Sequence, residues 1–259
     1  MAVKFLNKSK DGKKISFVVS NTTPAMANLI RKVIIEEVPT MAIDEVEFKK
    51  NSSVLYDEIV AHRLGLVPLT TDLKSYMIPD ECKCNGEGCN RCQLLLTLSS
   101  KKTGYVYTDS FKSKDPKVVP VFDDMPLVKL TKNQDIELIA TATLGRGKHH
   151  VKWSPGLAWY SYEPKIKVNK GSKEIEAFKD KYPPMIFDKN GKIDESLIVE
   201  PNIINACEGV CEDIIKVEYD PNSLIFYIES WGQLKPKDMV ITALDVIREK
   251  LESAKKEIK

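Results

Sequence analysis

The sequence predicts an α+β protein with its main helices near the two ends and a mostly β middle. Three observations lead there. Met26, Leu29, Ile30, Val33 and Ile34 recur at three- and four-residue spacing after Pro24, one apolar stripe of a helix. A longer stripe follows Pro236 and runs almost to the last residue. Between Leu69 and Trp153, Gly and Pro punctuate short runs rich in β-branched and aliphatic residues, the texture of strands and turns.

Taken in order, residues 15–20 alternate as a strand and end in the polar cluster Asn21-Thr22-Thr23. Pro24 suits the first position of a helix, with Thr22 or Thr23 as its N-cap, and Pro39 stops that helix. Ile43, Val46 and Phe48 predict a strand over 41–50, and residues 57–64 a short helix closed by Gly65 and Pro68. Further β runs are expected at 93–98, 103–107, 117–121 and 136–144, and the chain reads as extended again from 157 to 168. Residues 169–209 are polar, with a turn signal at Lys189-Asn190-Gly191, and fit a small insertion or a long ordered loop. Residues 214–219 and 224–230 read as two strands of a hairpin turning at Asp220-Pro221-Asn222-Ser223. The last helix starts at Pro236 and carries Val240, Leu244, Ile247, Leu251, Ala254 and Ile258 at alternating four- and three-residue steps, a heptad-like seam. Such a seam either lies on the chain's own sheet or also pairs with a partner, and its distal half outreaches the expected core.

Composition narrows the function. The 259 residues are 42% hydrophobic and 29% charged, as in ordinary globular proteins, and can bury one large core or two smaller ones. No apolar run reaches the length of a membrane span, and the Lys-rich start lacks the apolar stretch of a secretory leader, so a cytoplasmic location is expected. A net charge of +2 does not single out phosphate binding as the main task, and the basic runs at 10–14 and 255–259 read as solvated faces.

The chemistry-bearing feature is the run Cys82-Lys-Cys84-Asn-Gly-Glu-Gly-Cys89-Asn-Arg-Cys92. Two close pairs joined by a Gly-containing turn can surround one ion, and zinc favours a closed tetrahedral four-sulfur site of structural type. The first pair is C-x-C where a zinc ribbon has C-x-x-C, and an iron–sulfur centre, redox disulfides or free thiols are the alternatives. Cys207 and Cys211, four apart, would share one helical face and make only half a metal site. Of the three histidines, His62 falls on the short helix and His149 and His150 follow Gly145-Arg146-Gly147-Lys148, which lacks the Ser or Thr of a phosphate loop. Neither a serine nucleophile elbow nor a paired-histidine metalloprotease motif is present, so catalysis by the chain alone is not expected.

Several stretches read together as a resemblance. Asn28-Leu-Ile-Arg31-Lys leads through Val38-Pro39-Thr-Met-Ala-Ile43-Asp44 to Tyr56-Asp-Glu58-Ile-Val-Ala61-His62-Arg63-Leu64-Gly65-Leu-Val-Pro68-Leu69. Later come Gly145-Arg-Gly-Lys-His-His150-Val-Lys152-Trp153-Ser-Pro155 and Phe226-Tyr-Ile-Glu229-Ser-Trp231-Gly232. The ordered set, from first strand to last helix, resembles the D-type subunits of archaeal RNA polymerase. These are the counterparts of the third-largest subunit of eukaryotic polymerase II and of the bacterial alpha subunit's N-terminal domain.

The resemblance implies a discontinuous alpha-like dimerisation domain, a sheet plus two main helices, from residues 1–48, 157–168 and 212–259. It further implies an inserted mostly β domain at 49–156 and a small insertion at 169–211, a remnant of a ferredoxin-like domain. In such a protein Met26, Leu29, Ile30, Val33, Ile34, Val240, Leu244, Ile247, Leu251 and Ile258 would face the small subunit L in a heterodimer that nucleates polymerase assembly. Subunits N and P would help dock the pair on the second-largest subunit, with Glu58, His62 and Arg63 in the docking surface. Cys82, Cys84, Cys89 and Cys92 match the family's zinc-type loop, for one structural zinc ion. Many archaeal relatives carry an iron–sulfur cluster in the added domain. Here that region supplies only Cys207, with Cys211 just after it, so no cluster is expected. The expected role is a non-catalytic assembly subunit without direct DNA contact; a free-standing zinc module that binds nucleic acid is the competing reading.

Overall fold

The computed structural model describes residues 2–198 and 200–258. Met1 and Lys259, the outer bounds of the expected dimerisation domain, lie outside the described residues, as does Val199. The strands are β1 (Ala2–Lys8), β2 (Lys14–Ser20), β3 (Pro39–Asn51), β4 (Gln93–Ser100), β5 (Gly104–Tyr107), β6 (Lys112–Ser113), β7 (Pro126–Leu130), β8 (Ile136–Arg146), β9 (Gly156–Val168) and β10 (Ile215–Ser230). The α-helices are α1 (Pro24–Glu36), α2 (Asp57–Gly65), α3 (Ile175–Phe178), α4 (Pro201–Cys207) and α5 (Pro236–Glu257). The fold is α+β, with sheets of order β3-β8-β4-β6, β5-β7 and β1-β2-β10-β9.

Two compact units divide the described residues: one gathers 2–4, 18–24 and 161–225, the other 5–17, 25–160 and 226–258. The second unit is organised by β8, which pairs antiparallel with β3 on one side and β4 on the other. Along β8, Leu138, Ala140, Ala142 and Leu144 point to one face, opposite Leu94, Leu96 and Leu98 of β4. On β3 the apolar residues Met41, Ile43, Val46 and Phe48 are spaced by two, three and two. Asp44 is the reason: the register shifts between Ile43 and Glu45, so one extra residue bulges out and the alternation restarts in phase. Asp44 then binds Lys152 Nζ at 2.6 Å. Val60 and Leu64 of α2 enter this core with Met41, Ile43 and Leu69.

Helix α1 begins at Pro24, as the sequence predicts, and buries Ala27, Ile30, Val33 and Ile34. Its last turn meets the segment after β8. Lys148 N–H donates to Glu36 O at 2.9 Å, which satisfies a carbonyl the helix end would otherwise leave unpaired. That approach requires Gly147, where a Cβ would stand 2.1 Å from the Ile35 carbonyl oxygen. Near the other end of the chain Phe17 stacks on Phe226 at 5.4 Å and Trp159 on Tyr227 at 5.3 Å. Helix α5 buries Pro236, Met239 and Ala243.

The first unit has a smaller core of Tyr182, Ile186, Ile193, Ile198, Ile204, Cys207, Ile214 and Ile215. The turn expected at 189–191 is present, with Gly191 at φ 72° and Asp188 N–H donating to Lys192 O.

Three sequence expectations are corrected. The hairpin at 220–223 is one continuous strand, β10. Its turn chemistry exists, since Asp220 Oδ1 accepts from Asn222 N–H at 2.9 Å, but the chain runs straight on. Lys165 and Lys167 of β9 pair with Asp220 and Glu218 at 2.8 Å each, fixing β10 alongside β9 as it approaches Pro221. The expected strand at 117–121 makes only an isolated bridge from Leu69 to Pro120, because Pro120 has no N–H and those of Lys117 and Val118 turn back to Asp115 while that of Val119 donates to Thr70 Oγ1. Cys207 and Cys211 do not share a helical face, since α4 ends at Cys207 and Gly209 takes φ 76°. Strands β1, β6 and β7 were not expected from the sequence; β1 is exposed along its whole length and so lacks an apolar-in, polar-out pattern.

The Gly147 contact yields a test. Gly147→Ala is expected to cost about 2 kcal/mol or more, because backbone rather than a flexible side chain must yield. A denaturation midpoint equal to that of the unmodified chain would contradict the close approach.

Candidate metal centre and partner surface

The cysteine loop lies between a single 3-10 turn, Pro79–Glu81, and the start of β4. Asn85, Gly86 and Gly88 take φ of 51°, 83° and 91°, the left-handed region that Gly and Asn tolerate. Asn85 N–H donates to Cys82 O and Glu87 N–H to Cys84 O, so the first pair is wound in consecutive tight turns. Cys92 and Gln93 N–H both return to Cys89 O, which winds the second pair.

These turns bring all four sulfurs within 4.8 Å of one another. Cys82–Cys89 is 3.6 Å, Cys84–Cys92 3.5 Å and Cys89–Cys92 3.8 Å. A tetrahedral ion with sulfur at about 2.3 Å has edges of about 3.8 Å, so the spacing fits one ion among four thiolates. The distances are far from a bonded pair at about 2.05 Å, and all six cysteines are free. Hydrogen bonding with Cys82 draws the Cys84 thiol down to about 6, and burial pushes Cys92 up to about 12. Metal uptake must therefore displace protons, from Cys92 above all. The four cysteines can bind a metal ion, in a geometry compatible with zinc.

The partner-facing residues expected from the sequence fall into two sets. Ile30, Val33 and Ile34 are buried within the chain. Met26 and Leu29, on the same helix, are exposed. On α5 the self-packing stripe is Pro236, Met239 and Ala243, one step round from the seam. The seam is left open: Leu244 is 48%, Leu251 66% and Ile258 87% exposed, and Val240 and Ile247 are half-buried. Leu29, Val33, Ile247 and Leu251 line a shallow groove of about 280 Å³ between α1 and α5, with Lys32, Glu36, Glu37 and Lys250 at its polar edge.

Glu58, His62 and Arg63 are all exposed on α2, whose opposite side buries Val60 and Leu64. Arg63 Nη2 donates to Pro126 O at 2.6 Å. Tyr56, just before the helix, is 80% exposed and adds an aromatic ring to this surface. His150 Nδ1 accepts from Lys152 N–H and its ring meets Trp153 edge-on, while His149 is exposed. Sequence reasoning missed Glu37, Glu81 and Arg146, which form a cluster of ion pairs; single charges beside a helix end carry no periodic signal. No described helix is long and apolar enough to cross a membrane.

A family model described as the RNA polymerase Rpb3/RpoA insert domain matches residues 42–155, which include all four clustered cysteines. The whole chain is similar to proteins named DNA-directed RNA polymerase subunit Rpo3. That of Methanosarcina acetivorans is 40% identical over 241 residues, covering 91% of each chain. Those of Methanothermobacter thermautotrophicus and Methanosphaera stadtmanae are 37% and 35% identical, with 95% of both chains covered. The chain belongs to the Rpo3 family. Members are subunits of the multi-subunit, DNA-directed RNA polymerase of archaea, as the sequence resemblance implies, and the fold is the α+β arrangement with an Rpb3/RpoA insert domain. A role in transcription and association with other polymerase subunits follow from that membership.

The metal geometry of this Rpo3-family chain is directly testable. Cys89→Ser is expected to lower bound metal from one ion per chain to a small fraction, read by elemental analysis, and to loosen the middle of the chain while α1 and α5 stay folded. Metal is also expected to leave progressively as pH falls, since protons compete for the thiolates. Retention of a full equivalent by Cys89→Ser would rule out the four-sulfur site.

Proposed function

We propose that the chain is a non-catalytic assembly subunit of the polymerase, pairing with the smaller alpha-like subunit L to nucleate assembly. One observation carries this reading: Leu29 of α1 and Leu251 of α5 are exposed on either side of the groove between the two helices, and Leu244 is exposed further along the α5 seam. Burying each of these large side chains would contribute about 1.5–3 kcal/mol, enough collectively for stable pairing. Ile30 and Ile34 would back the interface from within, while Val33, mostly buried, would meet the partner at the floor of the groove. The exposed trio Glu58, His62 and Arg63, with Tyr56, would meet the second-largest subunit, with subunits N and P assisting.

The four-cysteine loop would hold one structural zinc ion. Its closed set of four thiolates leaves no open position for a reacting water, which suits a structural role. Sulfurs all within 4.8 Å of one another, three pairs of them at 3.5–3.8 Å, suit a single ion better than a multi-iron cluster, whose bulk would spread its ligands. The domain bounds implied by the resemblance, and a cytoplasmic location, belong to the same proposal. The near-neutral net charge weighs against a free nucleic-acid-binding module.

Leu244→Asp tests the pairing. The side chain is exposed in the chain alone, so the variant is expected to fold normally by circular dichroism yet lose affinity for subunit L by about two orders of magnitude. Unchanged co-purification of subunit L would refute the seam as interface.

A further inference from the structure

The run Gly145-Arg146-Gly147-Lys148 has a use that its sequence does not announce: both of its cations meet Glu37. This acid follows the C-terminal end of α1, where the helix dipole disfavours a negative charge. Its side chain is only 13% exposed. Lys250 Nζ of α5 approaches Glu37 Oε1 at 2.8 Å, Lys148 Nζ the same oxygen at 3.5 Å, and Arg146 Nε the other oxygen at 3.8 Å. Burial pushes the Glu37 carboxyl up, yet Lys250 and Lys148 hold it below its ordinary value.

Arg146 reaches further. Its Nη2 donates to Glu81 Oε1 at 2.7 Å, and Glu81 ends the 3-10 turn whose next residue is Cys82. One chain of contacts therefore runs from the cysteine loop through Glu81, Arg146 and Glu37 to Lys250. Glu37 and Lys250 are themselves at the polar edge of the α1–α5 groove.

We propose that Glu81, Arg146 and Glu37 are positioning residues that couple metal occupancy of the cysteine loop to the fit of the α1–α5 groove for its partner. The inference rests on the reading of that groove as the face for subunit L. A bound ion fixes Cys82, and with it the carboxylate of the adjoining Glu81. The guanidinium of Arg146, planar and rigid, is then held between two acids rather than free to pull on Glu37 alone. Glu37 in turn keeps Lys250, and hence the distal turns of α5, at a set distance from α1. Without the ion Glu81 loses its anchor, Arg146 swings, and the groove is no longer preformed. Partner binding then includes the cost of ordering it.

The experiment is a thermodynamic cycle on the full chain, with subunit L as the ligand. Affinity is measured for the zinc-loaded and the chelator-stripped chain, in the unmodified protein and in Glu81→Gln. Stripping is expected to weaken the unmodified chain about fivefold or more. Glu81→Gln, a change at a half-exposed carboxylate, is expected to keep one metal per chain by elemental analysis but to lose most of that metal dependence. Arg146→Gln should behave alike, which separates loss of the relay from local damage to the loop. Stripping that weakens all three proteins equally, or none of them, would overturn the coupling while leaving the groove reading intact. Failure of the unmodified loaded chain to pair at all would instead sink the groove reading, and this inference with it.

Discussion

The antiparallel pairing of β3 with β8 is the constraint on which the rest of the larger unit depends. It runs from Pro39 opposite Arg146 to Asn51 opposite Ile136, and both ends are put to use. At the Pro39 end the chain arrives from α1 and, on the facing strand, departs through Gly147 and Lys148 back against the same helix. The far end delivers β3 to the turn before α2, where Ser52 and Asp135 exchange hydrogen bonds. Because side chains alternate on a strand, a slip of one residue would turn Leu138, Ala140, Ala142 and Leu144 out of the core together. Ala140 and Ala142 are fully buried in mid-strand, in the same core as Val60 and Leu64 of α2. Register here sets where α1, α2 and the cysteine loop begin.

Much of this was legible because it is periodic. The stripe on α1, the seam on α5 and the alternation on β4 and β8 are regular patterns, and the structure has helices and strands there. What failed to show was non-periodic. The bulge at Asp44 breaks the alternation of β3 by one residue. At Pro221 a strong local turn signal is overridden by neighbours that fix a continuous strand, a case of tertiary pairing winning over propensity. The run at 117–121 had the right composition, but Pro120 lacks a donor and Asp115 and the Thr70 hydroxyl take the donors before it.

The sites divide in the same way. Four cysteines in eleven residues announce their own convergence, because Gly and Asn in the loop permit the required turns. The helix stripe was only half legible: spacing put Met26, Leu29, Ile30, Val33 and Ile34 on one face, but not which of them the chain would bury itself. That partition depends on what packs behind the helix, and only Met26 and Leu29 remain outside. The cluster around Glu37 was illegible, since its members come from positions 37, 81, 146, 148 and 250 and meet only when the fold is complete.

The open end of α5 has a consequence for the isolated chain. A helix showing Leu244 and Leu251 to water, with Ile258 exposed just past its end, presents an adhesive strip, flanked by lysines that slow but do not prevent encounters between like molecules. Solubility of the chain is thereby tied to company: at high concentration and alone, the same strip that would be buried in an assembly drives self-association. Expression without a mate should therefore fill inclusion bodies more readily than co-expression, with the charge on α5 setting how much salt the lone chain tolerates.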